Sequence, residues 1–252
     1  MTRAWEVLDA AESSEGRLEL RRRGPAEMVI TVGGRVLMNS AAHRTESALA
    51  ELACRHLARG SGGPGRRNRE APARVFLGGL GMGFTLRAAL DALDARAQVV
   101  VAEIDPVIVR WNRGPLAPLS GRACADPRVR IETADAAAMI RAAALAGDRF
   151  DAIMLDLYEG PRAATQPRED PFYGPRALAL TRDALSPDGR LAVWSEDPDA
   201  AFEQRLAAAG FRVELHRPGR GGPRHAIYLA RPARQRKGGE GTGRRLRPVL
   251  SR

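Results

Sequence analysis

The sequence predicts an α/β fold, namely a Rossmann-like, doubly wound and mostly parallel sheet preceded by a small N-terminal β-hairpin module. The first observation is the run V-F-L-G-G-L-G-M-G at 75–83, an apolar strand that breaks into glycines before a helical pattern begins. The second is that strand and helix patterns alternate from residue 73 onwards, as βαβ units require. The third is a set of short strand patterns before residue 40, separated by glycines.

The N-terminal module is predicted to cover residues 1–59. Its strands are expected at Trp5–Ala10, Arg17–Arg22, Glu27–Val32 and Arg35–Met38. Gly33-Gly34 fits a two-residue hairpin turn, because both positions tolerate a positive φ. A helix from Thr45 to Arg59 is expected next, with Thr45 as its cap. A Gly/Pro/Arg-rich linker at 60–72 then leads to the main domain, residues 73–231.

The main domain reads as alternating strands and helices. Its strands are predicted at Ala73–Leu77, Gln98–Ile104, Val129–Glu132, Phe150–Leu155, Arg190–Trp194, Phe211–Leu215 and His225–Ala230. Helices are predicted at Gly83–Leu93, after Asp105-Pro106, and at Ala136–Ala146, Gly174–Leu185 and Pro198–Ala209. Asp105 is expected to cap its helix, and a turn is expected at residues 186–189 (S-P-D-G). Such a sheet binds ligands at the carboxyl ends of its strands, near the switch point.

Composition excludes several classes of protein. Of the formal net charge of +10, residues 231–252 carry +7, from eight basic residues and one acid. We therefore expect a disordered basic tail at 232–252 on a nearly neutral body. Lys237 is the only lysine and arginine dominates the whole chain, so the arginines of the tail do not indicate nucleic-acid binding, and we expect no nucleic-acid partner. No apolar run approaches the roughly 20 residues that span a bilayer, and no signal peptide is recognisable, so we expect a cytoplasmic protein with no membrane partner. Cys54 and Cys124 are too few for a disulfide framework or a metal site.

The glycine spacing selects the class of cofactor. Gly79, Gly81 and Gly83 form G-x-G-x-G, whereas a dinucleotide fingerprint would place its third glycine at Phe84. The G-x-G-x-G pattern is typical of proteins that bind S-adenosylmethionine. Glu103 ends the second strand of the main domain, where a carboxylate can accept bonds from both ribose hydroxyls. Asp135 follows the third strand and is placed to meet an adenine amino group.

Four segments resemble one enzyme family. The run R-V-F-L-G-G-L-G-M-G-F-T-L-R at 74–87 resembles the G-G-G-D-G-G-T-L-R-E segment of spermidine synthases, the polyamine aminopropyltransferases. The segments at 99–109 (V-V-V-A-E-I-D-P-V-I-V), 126–136 (D-P-R-V-R-I-E-T-A-D-A) and 150–161 (F-D-A-I-M-L-D-L-Y-E-G-P) resemble further motifs of that family in the same order. The resemblance implies the fold of class I S-adenosylmethionine-dependent methyltransferases. It also implies a homodimer that transfers an aminopropyl group from decarboxylated S-adenosylmethionine to a small cationic polyamine.

The same resemblance implies roles for individual residues. Asp156 matches the catalytic aspartate of the family, and Glu159 stands where a second aspartate is usual. Glu51 matches the glutamate of an N-terminal Y-x-E motif, although Leu49 replaces its tyrosine. Glu51, Tyr158 and Glu159 are therefore the predicted substrate-binding residues. No metal ligand is predicted.

Gly81 is the main departure from the family pattern. It occupies the place of the aspartate in G-G-G-D-G-G, which the resemblance links to the amine of the aminopropyl group. A glycine here is expected to leave space for the carboxylate of ordinary S-adenosylmethionine. Methyl transfer on the same fold therefore stays open as an alternative. A non-catalytic protein that binds a nucleoside, or RNA through its basic tail, is a further one.

Overall fold

The computed structural model describes residues 4–13, 16–25, 27–57, 71–158, 160–162, 165–218 and 225–233. Most of the predicted linker, residue Glu159, and the predicted basic tail from residue 234 lie outside the described residues. Within the described ranges the chain forms two β-sheets flanked by α-helices. In these ranges, no helix has the length and apolar character that crossing a bilayer requires.

The first sheet is the predicted N-terminal β-module. Its four antiparallel strands follow one another in chain order: β1 (Glu6–Ser13), β2 (Gly16–Arg23), β3 (Glu27–Val32) and β4 (Arg35–Asn39). The turn between β3 and β4 is the predicted glycine pair, with φ of +54° at Gly33 and +80° at Gly34. Two consecutive positive φ values are what a type I′ hairpin turn needs.

The second sheet is the mostly parallel sheet that the alternating pattern predicts. Its strands are β5 (Arg74–Gly78), β6 (Gln98–Glu103), β7 (Val129–Thr133), β8 (Phe150–Leu155), β9 (Leu185–Ser195), β10 (Phe211–His216) and β11 (Ala226–Pro232). The helices that follow its strands are α2 (Phe84–Ala92), α3 (Pro106–Arg113), α4 (Ala136–Ala146), α5 (Pro175–Asp183) and α6 (Ala200–Ala208). The spatial order is β10-β11-β9-β8-β5-β6-β7, and β11 runs antiparallel to both of its neighbours. Because β5 lies between β6 and β8, the switch point is at β5.

The turn predicted at residues 186–189, before the strand that begins at Arg190, is wrong. These residues lie inside strand β9 rather than before it. The pairing of β8 with β9 jumps from Phe150–Leu185 to Ala152–Arg190, so several residues of β9 oppose a single residue of β8. Such a bulge tolerates a proline because an unpaired position needs no backbone donor. The turn-forming residues thus produce an irregularity within the strand.

The cap predicted for the N-terminal helix is also wrong. Helix α1 (Arg44–Cys54) begins one residue before Thr45, and the residue at its N-cap, His43, makes no capping bond through its side chain. The Thr45 hydroxyl donates instead to Glu46 Oε2 at 2.7 Å. After α1 the chain makes a short 3₁₀ turn, Arg55–Leu57.

Helix α1 joins the N-terminal module to the main sheet. Leu49 and Ala53 are fully buried in one apolar cluster that also holds Ile30 of the first sheet and Leu77 of the second. Burying large apolar side chains in a shared core stabilises each by about 1.5–3 kcal/mol, so the two parts are held as one unit. The first turn of α1 therefore has a fixed position relative to the main sheet.

Candidate functional site

The glycine turn after β5 forms the floor of the site. Gly79, Gly81 and Gly83 have φ values of +89°, +51° and +80°, a region that other residues rarely adopt. A Cβ atom added to Gly79 would lie 2.3 Å from the backbone oxygen of Asp156, so the turn packs directly on the end of β8. Helix α2 starts immediately afterwards at Phe84, and its N-cap residue, Gly83, has no side chain with which to cap it. Free amides at a helix N-terminus favour a ligand with oxygen acceptors.

Glu103 closes β6 and supports the glycine turn. Its side chain is 8% exposed, and Oε2 accepts a bond from the Leu80 amide at 2.9 Å. Oε1 accepts from the Asp105 amide, also at 2.9 Å. Burial raises the pKa of Glu103 above its ordinary value, and these amide bonds offset part of the rise. Two carboxylate oxygens offer about four acceptor positions, so two hydroxyl groups can still be bound.

Two aspartates cap helices at the same edge of the sheet. Asp105 accepts a bond from the Val107 amide at 2.8 Å, as predicted for an N-cap. Asp135 caps α4 through Oδ1, which accepts from the amides of Ala137 at 2.7 Å and Ala138 at 3.1 Å. The Asp135 side chain is exposed, and its role toward adenine stays a prediction.

Ile104 is an apolar residue of this edge that the sequence analysis did not select. It lies between Glu103 and Asp105 and is 68% exposed. An exposed large aliphatic side chain beside a buried carboxyl group is suited to contact the face of a ligand. The available signal was its position directly after the acidic residue that ends the strand.

Asp156 follows β8 and is the most perturbed acid of the site. Its Oδ2 accepts a hydrogen bond from the Thr85 hydroxyl in the first turn of α2. Burial raises the pKa of Asp156 to about 7, the Thr85 bond opposes the rise, and the charge of Glu46 adds to it. A carboxyl group with a pKa near neutrality can accept or release a proton under physiological conditions.

The predicted substrate residues are not all brought together. Tyr158 is 39% exposed two residues after Asp156, and the Arg35 guanidinium lies 5.6 Å from the centre of its ring. Glu51 is exposed on α1, whereas Glu46 of the same helix is 9% exposed and interacts electrostatically with Asp156. Glu159 lies outside the described residues. The substrate-binding roles of Glu51, Tyr158 and Glu159 stay predictions.

Gly81 does not leave the space that the sequence analysis expected. A Cβ atom at Gly81 would lie 2.8 Å from Met38 Sδ, which also accepts a bond from the Met82 amide at 3.2 Å. On the other side, Asn112 Nδ2 donates to the Gly81 carbonyl at 2.7 Å. The space into which a side chain at position 81 would point is therefore not free, contrary to what the sequence had led us to expect, because the Met38 side chain from β4 occupies it. Contacts from such distant parts of the chain leave no local sequence signal.

Known proteins share the fold and parts of the sequence. A polyamine aminopropyltransferase 2 of Streptomyces coelicolor is 36% identical over 156 residues, which cover 58% of this chain and 27% of that protein. A polyamine aminopropyltransferase 1 of Hyperthermus butylicus is 34% identical over 122 residues, or 48% of this chain and 40% of that protein. No family model matches the chain. The chain thus spans between a quarter and two-fifths of the length of these curated relatives.

A solved structure agrees with this similarity. A spermidine synthase in complex with the transition state analogue AdoDATO superposes with a TM-score of 0.66 and 21% identity, covering 89% of this chain and 73% of that chain. Identity at this level establishes the fold alone. The predicted resemblance is confirmed: the chain has homologues named polyamine aminopropyltransferase and the fold of a spermidine synthase.

Proposed function

We propose that this protein is a transferase that moves the aminopropyl group of decarboxylated S-adenosylmethionine to a small polyamine. The observation that carries the proposal is Asp156, a half-buried carboxyl group with a pKa near 7 beside the glycine turn. The sequence similarity to polyamine aminopropyltransferases supports the same reaction class.

The strand ends and the glycine turn fit a nucleoside. Glu103 has acceptor positions left for the two ribose hydroxyls, and Asp135 uses only one of its carboxylate oxygens for capping. Ile104 would cover one face of the base. When bound, decarboxylated S-adenosylmethionine supplies a carbon activated by the neighbouring sulfonium. Among the described residues no group of three His, Cys, Asp or Glu side chains could hold a metal ion, and the proposal requires none.

Asp156 is suited to handle the proton of the acceptor. An alkylammonium has a pKa of about 10.4, and its nitrogen has no free electron pair until one proton leaves. The Thr85 hydroxyl occupies Oδ2 of Asp156, which leaves Oδ1 to face the nitrogen. The proton passes from the nitrogen to the carboxylate first, and the freed electron pair would then form the new carbon–nitrogen bond as the carbon–sulfur bond breaks and methylthioadenosine leaves. Tyr158 and the predicted Glu159 would line the acceptor side.

Methyl transfer from S-adenosylmethionine is the second candidate, and Gly81 is the observation that favours it. Position 81 itself provides no anion for an aminopropyl amine, because Gly81 and Met38 are both uncharged. The proton chemistry of Asp156 serves an amine acceptor in either reaction. The two candidates therefore differ in the cofactor that the site prefers.

A comparison of cofactors tests the proposal. The protein is incubated with decarboxylated or intact S-adenosylmethionine and a series of aliphatic diamines and triamines, and products are identified by mass spectrometry. We expect an aminopropylated amine and methylthioadenosine from the decarboxylated cofactor. Asp156→Asn should retain the rise in melting temperature with methylthioadenosine and lose turnover. Methylated amine from the intact cofactor alone would establish the second candidate.

The proposal extends to partners and location. We propose a cytoplasmic homodimer that binds no nucleic acid. Removal of residues 234–252 should leave turnover unchanged, and light scattering should give twice the monomer mass. Salt-sensitive RNA binding that disappears with this deletion would contradict the proposal.

A further inference from the structure

The first turn of α1 lies at the carboxyl edge of the main sheet. At the far end of α1, His56 Nε2 lies 3.1 Å from the backbone oxygen of Asp151, near the start of β8. At the near end, the rings of His43 and Phe84 stack with centroids 4.2 Å apart. These two contacts show that α1 runs in the direction opposite to β8. Helix α1 is about 16 Å long and β8 about 20 Å, so each element spans the sheet from one edge to the other. Glu46, one turn into α1, is thus brought to the end of β8 that carries Asp156.

Glu46 is a buried acid that has no neutralising partner within the part of the chain that the structure describes. Its side chain is 9% exposed, and the bond that it accepts comes from the neutral Thr45 hydroxyl. Among the described residues, no arginine or histidine forms an ion pair with it, although many surface acids of these ranges have one. Leaving a carboxylate buried and unpaired is unfavourable unless a cation joins it. The arrangement therefore suits a cationic ligand.

Tyr173 is a further buried polar residue that interacts electrostatically with Asp156. Its side chain is 3% exposed, and its hydroxyl has no hydrogen-bond partner among the residues that the structure describes. The Tyr173 amide donates to Asp170 Oδ1 at 2.7 Å, and its ring packs edge-on against Phe202 at 5.4 Å, so the ring is fixed. Burial, and then the charges of Asp170 and Asp156, raise the pKa of Tyr173, which keeps the hydroxyl protonated. An unsatisfied buried hydroxyl near Asp156 indicates a missing polar ligand.

We propose that Glu46 and Tyr173 complete an ammonium-binding site with Asp156 and hold the attacking amine of the acceptor. A primary ammonium has three N–H donors, and these side chains offer three acceptors: two carboxylates and one phenolic oxygen. The inference rests on the proposed function for the identity of the acceptor as an amine. The proton that leaves the nitrogen becomes the O–H of Asp156, while Glu46 remains a carboxylate and balances the remaining positive charge. Glu46 thus binds the ammonium group of the acceptor, and its negative charge also raises the pKa of Asp156.

Glu46→Gln tests this role, and Glu203→Gln is a matched control. Glu203 also lies in the first turn of a helix, α6, so both substitutions remove one acid from a helix N-terminus. Binding of 1,4-diaminobutane is measured by calorimetry on protein saturated with methylthioadenosine. A hydrogen bond to a charged group contributes about 1.5–3 kcal/mol, so Glu46→Gln should weaken binding about 10- to 100-fold. Glu203→Gln should bind as the wild type does, and Tyr173→Phe should show a smaller loss than Glu46→Gln.

The pH profile separates this role from a structural one. Removing the charge of Glu46 lowers the pKa of Asp156, so the acid limb of kcat/KM should move to lower pH in Glu46→Gln. Wild-type diamine affinity or an unmoved acid limb in a folded Glu46→Gln variant would overturn the inference. If the wild type methylates the amine instead, and Glu46→Gln still weakens diamine binding, the proposed function fails and this inference stands. If the wild-type protein binds no amine, both fail.

Discussion

Replacing Asp156 by asparagine should make the protein more stable at pH 8 than the wild type. The pKa of Asp156 is raised from 3.8 to about 7 in the folded state, first by burial and then by Glu46. Because the folded protein binds this proton more tightly than the unfolded chain does, the proton adds its full contribution to the free energy of unfolding below pH 3.8. This contribution to the free energy of unfolding is lost as the pH rises through about 7. Asparagine does not titrate, and its Oδ1 still accepts a bond from the Thr85 hydroxyl.

The size of the effect follows from the pKa shift. One pKa unit corresponds to about 1.4 kcal/mol, so a rise of about three units sets an upper limit of about 4 kcal/mol. Asp156 is only half-buried, and water near it reduces the effect, so we expect about 2–4 kcal/mol. The free energy of unfolding of the wild type should therefore fall by this amount, relative to Asp156→Asn, between pH 4 and pH 8.

Urea denaturation of both proteins at half-unit steps between pH 4 and pH 8, at constant ionic strength, measures this difference. Equal denaturant slopes would show that both proteins unfold to a similar extent. The slope of the difference should be steepest between about pH 4 and pH 7 and should level off above that range. Parallel stability curves, or a wild type that gains stability relative to the variant as the pH rises, would refute the assigned pKa of Asp156.

Three further predictions concern the glycine turn and its supports. Gly79→Ala should destabilise the protein by about 2 kcal/mol or more in urea denaturation, because its Cβ meets Asp156, and Gly147→Ala, which adds a side chain in open space, should cost less. Glu103→Gln should weaken methylthioadenosine binding in calorimetry about 10-fold, because glutamine has one acceptor oxygen where the two oxygens of Glu103 accept both the amides of Leu80 and Asp105 and the ribose hydroxyls; unchanged affinity would exclude that role. Thr85→Val should raise the pKa of Asp156 and move the acid limb of kcat/KM to higher pH, whereas Thr85→Ser should keep the wild-type profile. An acid limb that moves equally in both Thr85 variants would contradict this assignment.

Features encoded by local sequence were predictable. The order of the strands in the chain, the hairpin at Gly33-Gly34 and the cap at Asp105 depend on a few neighbouring residues, and the structure agrees with each. Glu103 and Asp156 could be selected because a residue that ends a parallel strand must lie at the carboxyl edge of the sheet. Local pattern was thus sufficient wherever the position in an element fixes the position in space.

Features that depend on tertiary packing were not predictable in this way. Glu46 and Glu51 are five residues apart, about 140° around α1, and only the packing of α1 on the main sheet decides which one is buried. Met38 reaches Gly81 from a strand more than forty residues earlier in the chain, so the spacing of the glycines gives no warning of it. The S-P-D-G segment has turn composition, yet pairing with β8 places it within β9.

The mass of the acceptor product tests the central proposal most directly. The protein is mixed with equal amounts of decarboxylated and intact S-adenosylmethionine and one diamine, and the amine products are separated and weighed by mass spectrometry. We predict that the diamine gains an aminopropyl group, that one methylthioadenosine forms for each new triamine, and that Asp156→Asn forms neither product. A diamine that gains only methyl groups would contradict the proposal that this site transfers an aminopropyl group. The proposal would also be contradicted if no diamine or triamine, tried one after another, were modified.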